Sequence, residues 1–225
     1  MAQAFIQRRR SCGTARQNHA ARSPAMSESS LFQHRVLVVN QKAKLIELTN
    51  QYSVFDENGN NIGHVNQVGQ SKAKKLLRLV SSVDQFLTHH FDITDASGSL
   101  VMSVTRPAKV FKSTVLINDS TGAEIGRIVQ ENVFGKIHFA LEVGGLKIGA
   151  IKAENWRAWN FSIEDADGRE VARVTKKFAG LAREMFTTAD SYVVELHEVP
   201  SQPLHSLIIA AALSIDTALK QDTRL

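Results

Sequence analysis

From residue 31 onward the chain repeats one local pattern. Apolar and polar side chains alternate, run into Asp-x-x-Gly, and a second apolar segment follows. The first copy is Tyr52-Ser53-Val54-Phe55-Asp56 with Gly59 and then Ile62; the second is Phe91-Asp92-Ile93-Thr94-Asp95 with Gly98 and then Leu100-Val101. Val115-Leu116-Ile117-Asn118-Asp119 with Gly122 and Ile125, and Phe161-Ser162-Ile163-Glu164-Asp165 with Gly168 and Val171, complete the set. A period of two puts alternate side chains on opposite faces of a strand. The aspartate bonds the backbone two residues on, and the glycine supplies the positive φ that closes a tight turn. Each copy therefore predicts a β-hairpin.

Further strands are expected at Val36–Asn40, Leu45–Thr49, Lys136–Val143, Leu146–Ile151 and Ser191–His197, about twelve in all with the hairpins. Short strands with close-set turns argue for an all-β barrel or sandwich. The turn aspartates lie 39, 24 and 46 residues apart, too irregular for a solenoid. Ser71–Val83 mixes Lys72, Lys74, Lys75 and Arg78 with Leu76, Leu77 and Leu79, and suits a short helix or a strand with a basic flank equally.

The C-terminal pattern is different. After Pro200 and Pro203, Leu204–Leu219 is strong helix-forming sequence, and Leu207–Leu213 is apolar on every side. Such a helix is buried either in protein or in lipid. Sixteen residues at ~1.5 Å each span only about 24 Å, against the roughly 20 apolar residues a membrane crossing needs. Asp216 adds a charge near one end, which opposes insertion. A core helix is the expectation, with Leu207, Ile208, Ala211, Ala212 and Ile215 inside a wall of strands. A flat sandwich cannot surround a helix, so the sheet is expected to close: an antiparallel barrel of about twelve strands around a central helix.

Charge changes the picture at the N-terminus. Residues 1–30 hold Arg8, Arg9, Arg10, Arg16 and Arg22 against Glu28, whereas residues 31–225 balance 22 basic against 21 acidic side chains. The near-neutral remainder gives no global field for nucleic acid. Residues 1–30 lack apolar period and read as a disordered basic tail, with the folded domain at 31–225. Two readings of that tail stand side by side: a basic arm that touches membrane, or an over-extended start with translation beginning at Met26. Cys12, the single cysteine, lies in it, which excludes a disulfide scaffold and any multi-cysteine metal site.

Reactive chemistry is hard to find. The glycine-rich nucleotide loops, the H-E-x-x-H zinc motif and the G-x-S-x-G nucleophile turn do not occur. His89 and His90 are adjacent, so on a strand they face opposite ways. The other histidines read as surface or hydrogen-bonded groups. Asn160, Glu164, Asp165 and Asp167 suggest calcium, but counting from Asn160 puts Val171 where an EF-hand needs its bidentate glutamate. No enzyme and no resident cofactor are expected, with calcium as the one candidate. Basic groups cluster three times: Lys72, Lys74, Lys75 and Arg78; Arg106, Lys109 and Lys112; Lys176, Lys177 and Arg183. Each is a solvated face or, taken together, a surface for anionic lipid. Trp156 and Trp159 sit beside Arg157, as core or rim aromatics or as headgroup contacts.

One segment carries a family likeness. Val171–Tyr192, with Lys176-Lys177-Phe178-Ala179-Gly180 leading into Arg183-Glu184-Met185-Phe186-Thr187-Thr188-Ala189-Asp190, resembles the late motif of phospholipid scramblases. Val39-Asn40-Gln41-Lys42 with Leu45, Glu47 and Tyr52 resembles that family's opening motif. Arg106-Pro107, Ile125-Gly126 with Ile128-Val129-Gln130, and the terminal helix with Ile215-Asp216 also fit, so the likeness spans about residues 31–219. The resemblance implies a tubby-C-terminal-like fold, shared with LURP-one-related proteins: a twelve-stranded barrel around a C-terminal helix. It implies partners among anionic phospholipids or a membrane surface, lipid movement between leaflets, often calcium-dependent, and a cytoplasmic place, peripheral at an inner membrane face. A protein-interaction scaffold is the remaining alternative.

Overall fold

The strands form because alternating sequence meets turns that close them. The computed structural model describes residues 29–41, 51–69, 88–108, 112–132, 138–155, 160–176 and 191–215. Among the described residues twelve strands run in chain order: β1 (Val36–Gln41), β2 (Gln51–Phe55), β3 (Asn61–Val68), β4 (His89–Asp95), β5 (Leu100–Arg106), β6 (Thr114–Asp119), β7 (Glu124–Gln130), β8 (His138–Val143), β9 (Leu146–Asn155), β10 (Asn160–Asp165), β11 (Glu170–Thr175) and β12 (Ser191–Leu196). Each pairs antiparallel with its sequence neighbours, and β1 pairs with β12, so the meander closes into a barrel with no free edge. The proposed strand Leu45–Thr49, the segment Ser71–Val83 and residues 1–28 lie outside the described residues.

All four Asp-x-x-Gly turns have one construction. The aspartate Oδ1 accepts from the N–H groups two and four residues on: Asn58 and Asn60 for Asp56, Ser97 and Ser99 for Asp95, Thr121 and Ala123 for Asp119, Asp167 and Arg169 for Asp165. The glycine N–H returns to the aspartate carbonyl, with φ of +82° at Gly59, +87° at Gly98, +88° at Gly122 and +79° at Gly168. The pairing register slips by one residue beside each turn. That bulge adds local twist, which helps a sheet close. A fifth hairpin, β8–β9, uses Gly144-Gly145 instead.

The helix α1 (Leu204–Ser214) lies inside the wall, and Leu207, Ile208, Ala211, Ala212 and the following Ile215 are at most 1% exposed. The expected span to Leu219 extends past the described residues. Three inward-facing glycines make room at one end. A Cβ on Gly126 would stand 2.4 Å from the Glu142 carbonyl and 3.2 Å from Leu207, and Gly149 and Gly63 crowd Leu204 and Leu31 in the same way. The far end of the helix is tied by Tyr192, whose hydroxyl donates to the Ala212 carbonyl at 3.0 Å. A one-turn 3-10 helix, Ser30–Phe32, packs Leu31 and Phe32 into the core, and the side chain of Ser29 caps that turn.

Candidate functional site: the open end of the barrel

Antiparallel order sends successive connections to opposite ends. The five tight hairpins, the 3-10 turn and the entry to α1 share one end, here called the hairpin end. The other connections, after β1, β3, β5, β7, β9 and β11, all leave from the opposite, open end, and all but the one after β9 are longer than the hairpin turns.

The inner wall changes character along its length. It is apolar in the middle, but at the open end the last inward positions of β3, β4, β5 and β7 are Gln67, His89, Arg106 and Gln130, all at most 6% exposed. Burying such groups is favourable only when they find partners. The Gln67 amide donates to His89 Nδ1 at 2.8 Å, and His89 lies across from Arg106 in the β4–β5 register. The Ser113 N–H donates to Gln130 Oε1 at 3.1 Å, and the Gln130 amide donates to the Asn132 carbonyl at 2.9 Å. His90 points outward to Thr105, so the two adjacent histidines face opposite ways as expected.

The basic residues expected to meet lipid are placed unequally. Arg106 is not on a surface: it is 1% exposed, because Met102 and Val104 face inward and the alternation carries position 106 in with them. Lys112 is exposed at the foot of β6, its Nζ donating to the Glu131 carbonyl at 2.8 Å, and Lys176 is half-buried at the end of β11. Lys72, Lys74, Lys75, Arg78, Lys109, Lys177 and Arg183 lie outside the described residues, as do Trp156 and Trp159. The described strand ends that flank them all belong to the open end.

The four calcium candidates are not brought together. Asn160 begins β10 at the open end, while Asp165 ends it at the hairpin end, about 17 Å away at ~3.3 Å per residue. Asn160 Oδ1 accepts from Arg173 at 2.7 Å, and Glu164 pairs with Lys152 at 2.5 Å. The Arg169 N–H, then its guanidinium and the Asp167 N–H, hold the Asp165 carboxyl below its ordinary range. Asp167 is exposed at the turn. Among the described residues no group of three or more His, Cys, Asp or Glu side chains is placed to hold a metal ion.

One group was missed at the sequence level. His205, in the first turn of α1, is 3% exposed and its Nε2 has no partner among the described residues. Phe32 packs edge-on against it, ring centroids 5.2 Å apart at 80°. Burial alone pushes its pKa below the ordinary histidine value. The signal was its place inside an otherwise apolar run.

The profile of the Scramblase family matches residues 14–219. Altered inheritance rate of mitochondria protein 25 of Saccharomyces cerevisiae is 26% identical over 215 residues, covering 76% of this chain and 64% of that protein. A phospholipid scramblase family protein of Schizosaccharomyces pombe is 24% identical over 185 residues, covering 76% of this chain and 47% of that protein. The chain thus spans between about half and two thirds of the length of these relatives. No solved structure matches it.

Proposed function

Because the chain belongs to the scramblase family, we propose that it is a non-enzymatic module that seats the open end of its barrel on anionic phospholipid. The observation that carries this reading is the polarity of the barrel. Asp56, Glu57, Asp95, Asp119, Asp165, Asp167 and Glu198 gather at the hairpin end, with Arg169 among them. The connections of the opposite end carry Lys72, Lys74, Lys75, Arg78, Lys109, Lys112, Lys176, Lys177 and Arg183. A body charged in this way is drawn to an anionic surface basic end first, each lysine or arginine near the surface contributing about 1 kcal/mol. Trp156 and Trp159 fall in the β9–β10 connection of the same end, and indole rings favour the headgroup boundary. Arg106 is left out of the contact surface, being inside the wall.

Movement of lipid between leaflets is the second reading, favoured by the family and by one relative's name. No helix among the described residues is long and apolar enough to cross a membrane, and α1 is sheathed by strands. Scrambling by this chain therefore needs a polar path supplied in another way, such as assembly of several copies. A protein scaffold is the third.

Flotation with vesicles containing anionic lipid separates these. The first reading predicts co-flotation that is lost in high salt and absent with neutral lipid. Failure to float on anionic vesicles at low salt sinks it and leaves the scaffold ahead. A dithionite assay of labelled headgroups, with and without calcium, tests the second: flip rates equal to those of empty vesicles discard it.

A further inference from the structure

We propose that the arginine-rich N-terminal segment docks on the hairpin end of its own barrel, with Phe5-Ile6 in an apolar groove and Arg8, Arg9 and Arg10 on its acidic rim. The groove lies between the β10–β11 turn and the link from β12 to α1 and has a volume of about 450 Å³. That is within the range of pockets that hold a small ligand, roughly 300–1,000 Å³. Ile148, Val171, Val199 and Leu204 supply its apolar lining, and Asp167 and Glu198 stand among its acids. Apolar surface remains open here: Val199 is 51% exposed, and Leu146 in the neighbouring turn 73%.

The charge of the groove is unbalanced. Among the described residues Arg169 is its one basic lining residue, and it is already engaged, reaching Asp165 at 3.0 Å and Glu198 at 3.1 Å. Asp165, Asp167 and Glu198 leave acid in excess around it. An occupant of matching chemistry carries apolar side chains next to several positive charges. Met1-Ala2-Gln3-Ala4-Phe5-Ile6-Gln7-Arg8-Arg9-Arg10 is such a sequence, and it belongs to this chain. Arginine stems also cover apolar surface while their guanidinium groups reach the rim.

The tether fits the distance. The described chain starts at Ser29, at the hairpin end. The 22 residues from Gln7 to Glu28 are long enough to reach at most about 75 Å. Twelve tilted strands about 4.8 Å apart make a barrel roughly 24 Å across, so the tail reaches the groove without stretching. A tether of this kind gives an effective concentration in the mM range, so a site of about mM affinity is enough to be half occupied. Docking there holds the arginines at the end opposite to the one proposed to meet lipid.

Cys12 makes the test direct, because it is the single cysteine of the chain. A nitroxide attached to it in the full-length protein reports which backbone amides the tail approaches. The proposal predicts loss of amide signal at Asp167, Gly168, Glu198 and Val199, with His90, Arg106 and Lys176 unaffected. The signals return on raising salt and in the double variant Asp167→Lys, Glu198→Lys, whose exposed positions leave the amide spectrum otherwise folded. In the same double variant trypsin cuts severalfold faster after Arg8–Arg10. Signal loss spread evenly, centred on the open end, or absent overturns the proposal. So does loss at the groove that fades on dilution with unlabelled protein, which assigns the groove to a second copy.

Discussion

The two ends of the barrel are built on different terms. At the hairpin end the turn constraints are local: an aspartate caps its turn, a bulge bends the strand, and glycines let α1 and the 3-10 helix come close, while the buried His205 Nε2 is left without a partner among the described residues. Some acids there are matched within a few residues, as Glu124 is by Arg127 at 2.8 Å, while Asp165, Asp167 and Glu198 share Arg169. At the open end the inner wall turns polar, with Gln67, His89, Arg106 and Gln130 on separate strands, and long connections carry an excess of basic side chains. The hairpin end specifies the fold by short-range chemistry that recurs. The open end carries most of the longer connections, and loops on a rigid scaffold are where binding residues concentrate.

The sharpest way to break this contrast is to remove the space that the hairpin end depends on. Gly126→Val places a side chain against the Glu142 carbonyl and Leu207, and backbone cannot yield as a side-chain tip does. A loss of at least about 3 kcal/mol in denaturant unfolding is expected. Gly69→Ala, at the open end with φ +75° and nothing within 4 Å, should cost only about 1–2 kcal/mol. Equal losses would dissolve the distinction.

Next comes the turn aspartate. Asp119→Ala removes the acceptor of two N–H groups and the Thr121 hydroxyl, and about 2 kcal/mol of unfolding free energy should go with it. The related carboxyls also set the acid limb. Ser97 holds Asp95 below its ordinary range, chiefly through its hydroxyl. For Asp56, partial desolvation pushes upward, but hydrogen bonds from Asn60 and Asn58 prevail and the net shift is downward. Folded values that lie below unfolded ones stabilise above the unfolded carboxyl range, near pH 4, and that contribution is lost as pH falls through the folded values. A urea series between pH 5 and 2 should show stability falling, and less steeply in Asp95→Asn.

Smaller still is Tyr192→Phe, which frees the open-end tip of α1 from the wall. About 1 kcal/mol is expected, with faster hydrogen exchange at Ala212–Ser214 and unchanged exchange in the hairpins. The smallest effect belongs to His205. Its folded pKa is lowered by burial, so the unfolded chain binds the extra proton and stability declines as pH falls from about 6.5 toward the folded value. His205→Leu should flatten that decline, seen in melting temperature between pH 7.5 and 5.5. A slope that survives the substitution would assign it to another group.

The fold was legible where local chemistry and periodicity agree. Asp56, Asp95, Asp119 and Asp165 announced their turns, and the all-round apolar face of Leu207–Leu213 required a wall on every side. The site was less so, because clusters were judged by composition and not by strand position. Counting outward from Val104 would have turned Arg106 inward, and the length of β10 would have separated Asn160 from Asp165. His205 was hidden for the opposite reason: a titratable group in a core run breaks the rule that buried polar atoms are paired.

The central claim, that the open end faces the membrane, is tested most directly by moving charge from one end to the other and measuring partition onto anionic vesicles. Replacing Lys72, Lys74 and Lys75 with serine should weaken binding about 100-fold, at about 1 kcal/mol per lysine. Adding lysines at the exposed hairpin-end positions Asn58, Ala96 and Ala123 should change it by less than about threefold, since that end lies beyond a Debye length of about 8 Å from the surface. Undiminished binding after the first change, or a large gain after the second, would contradict the orientation and the function drawn from it.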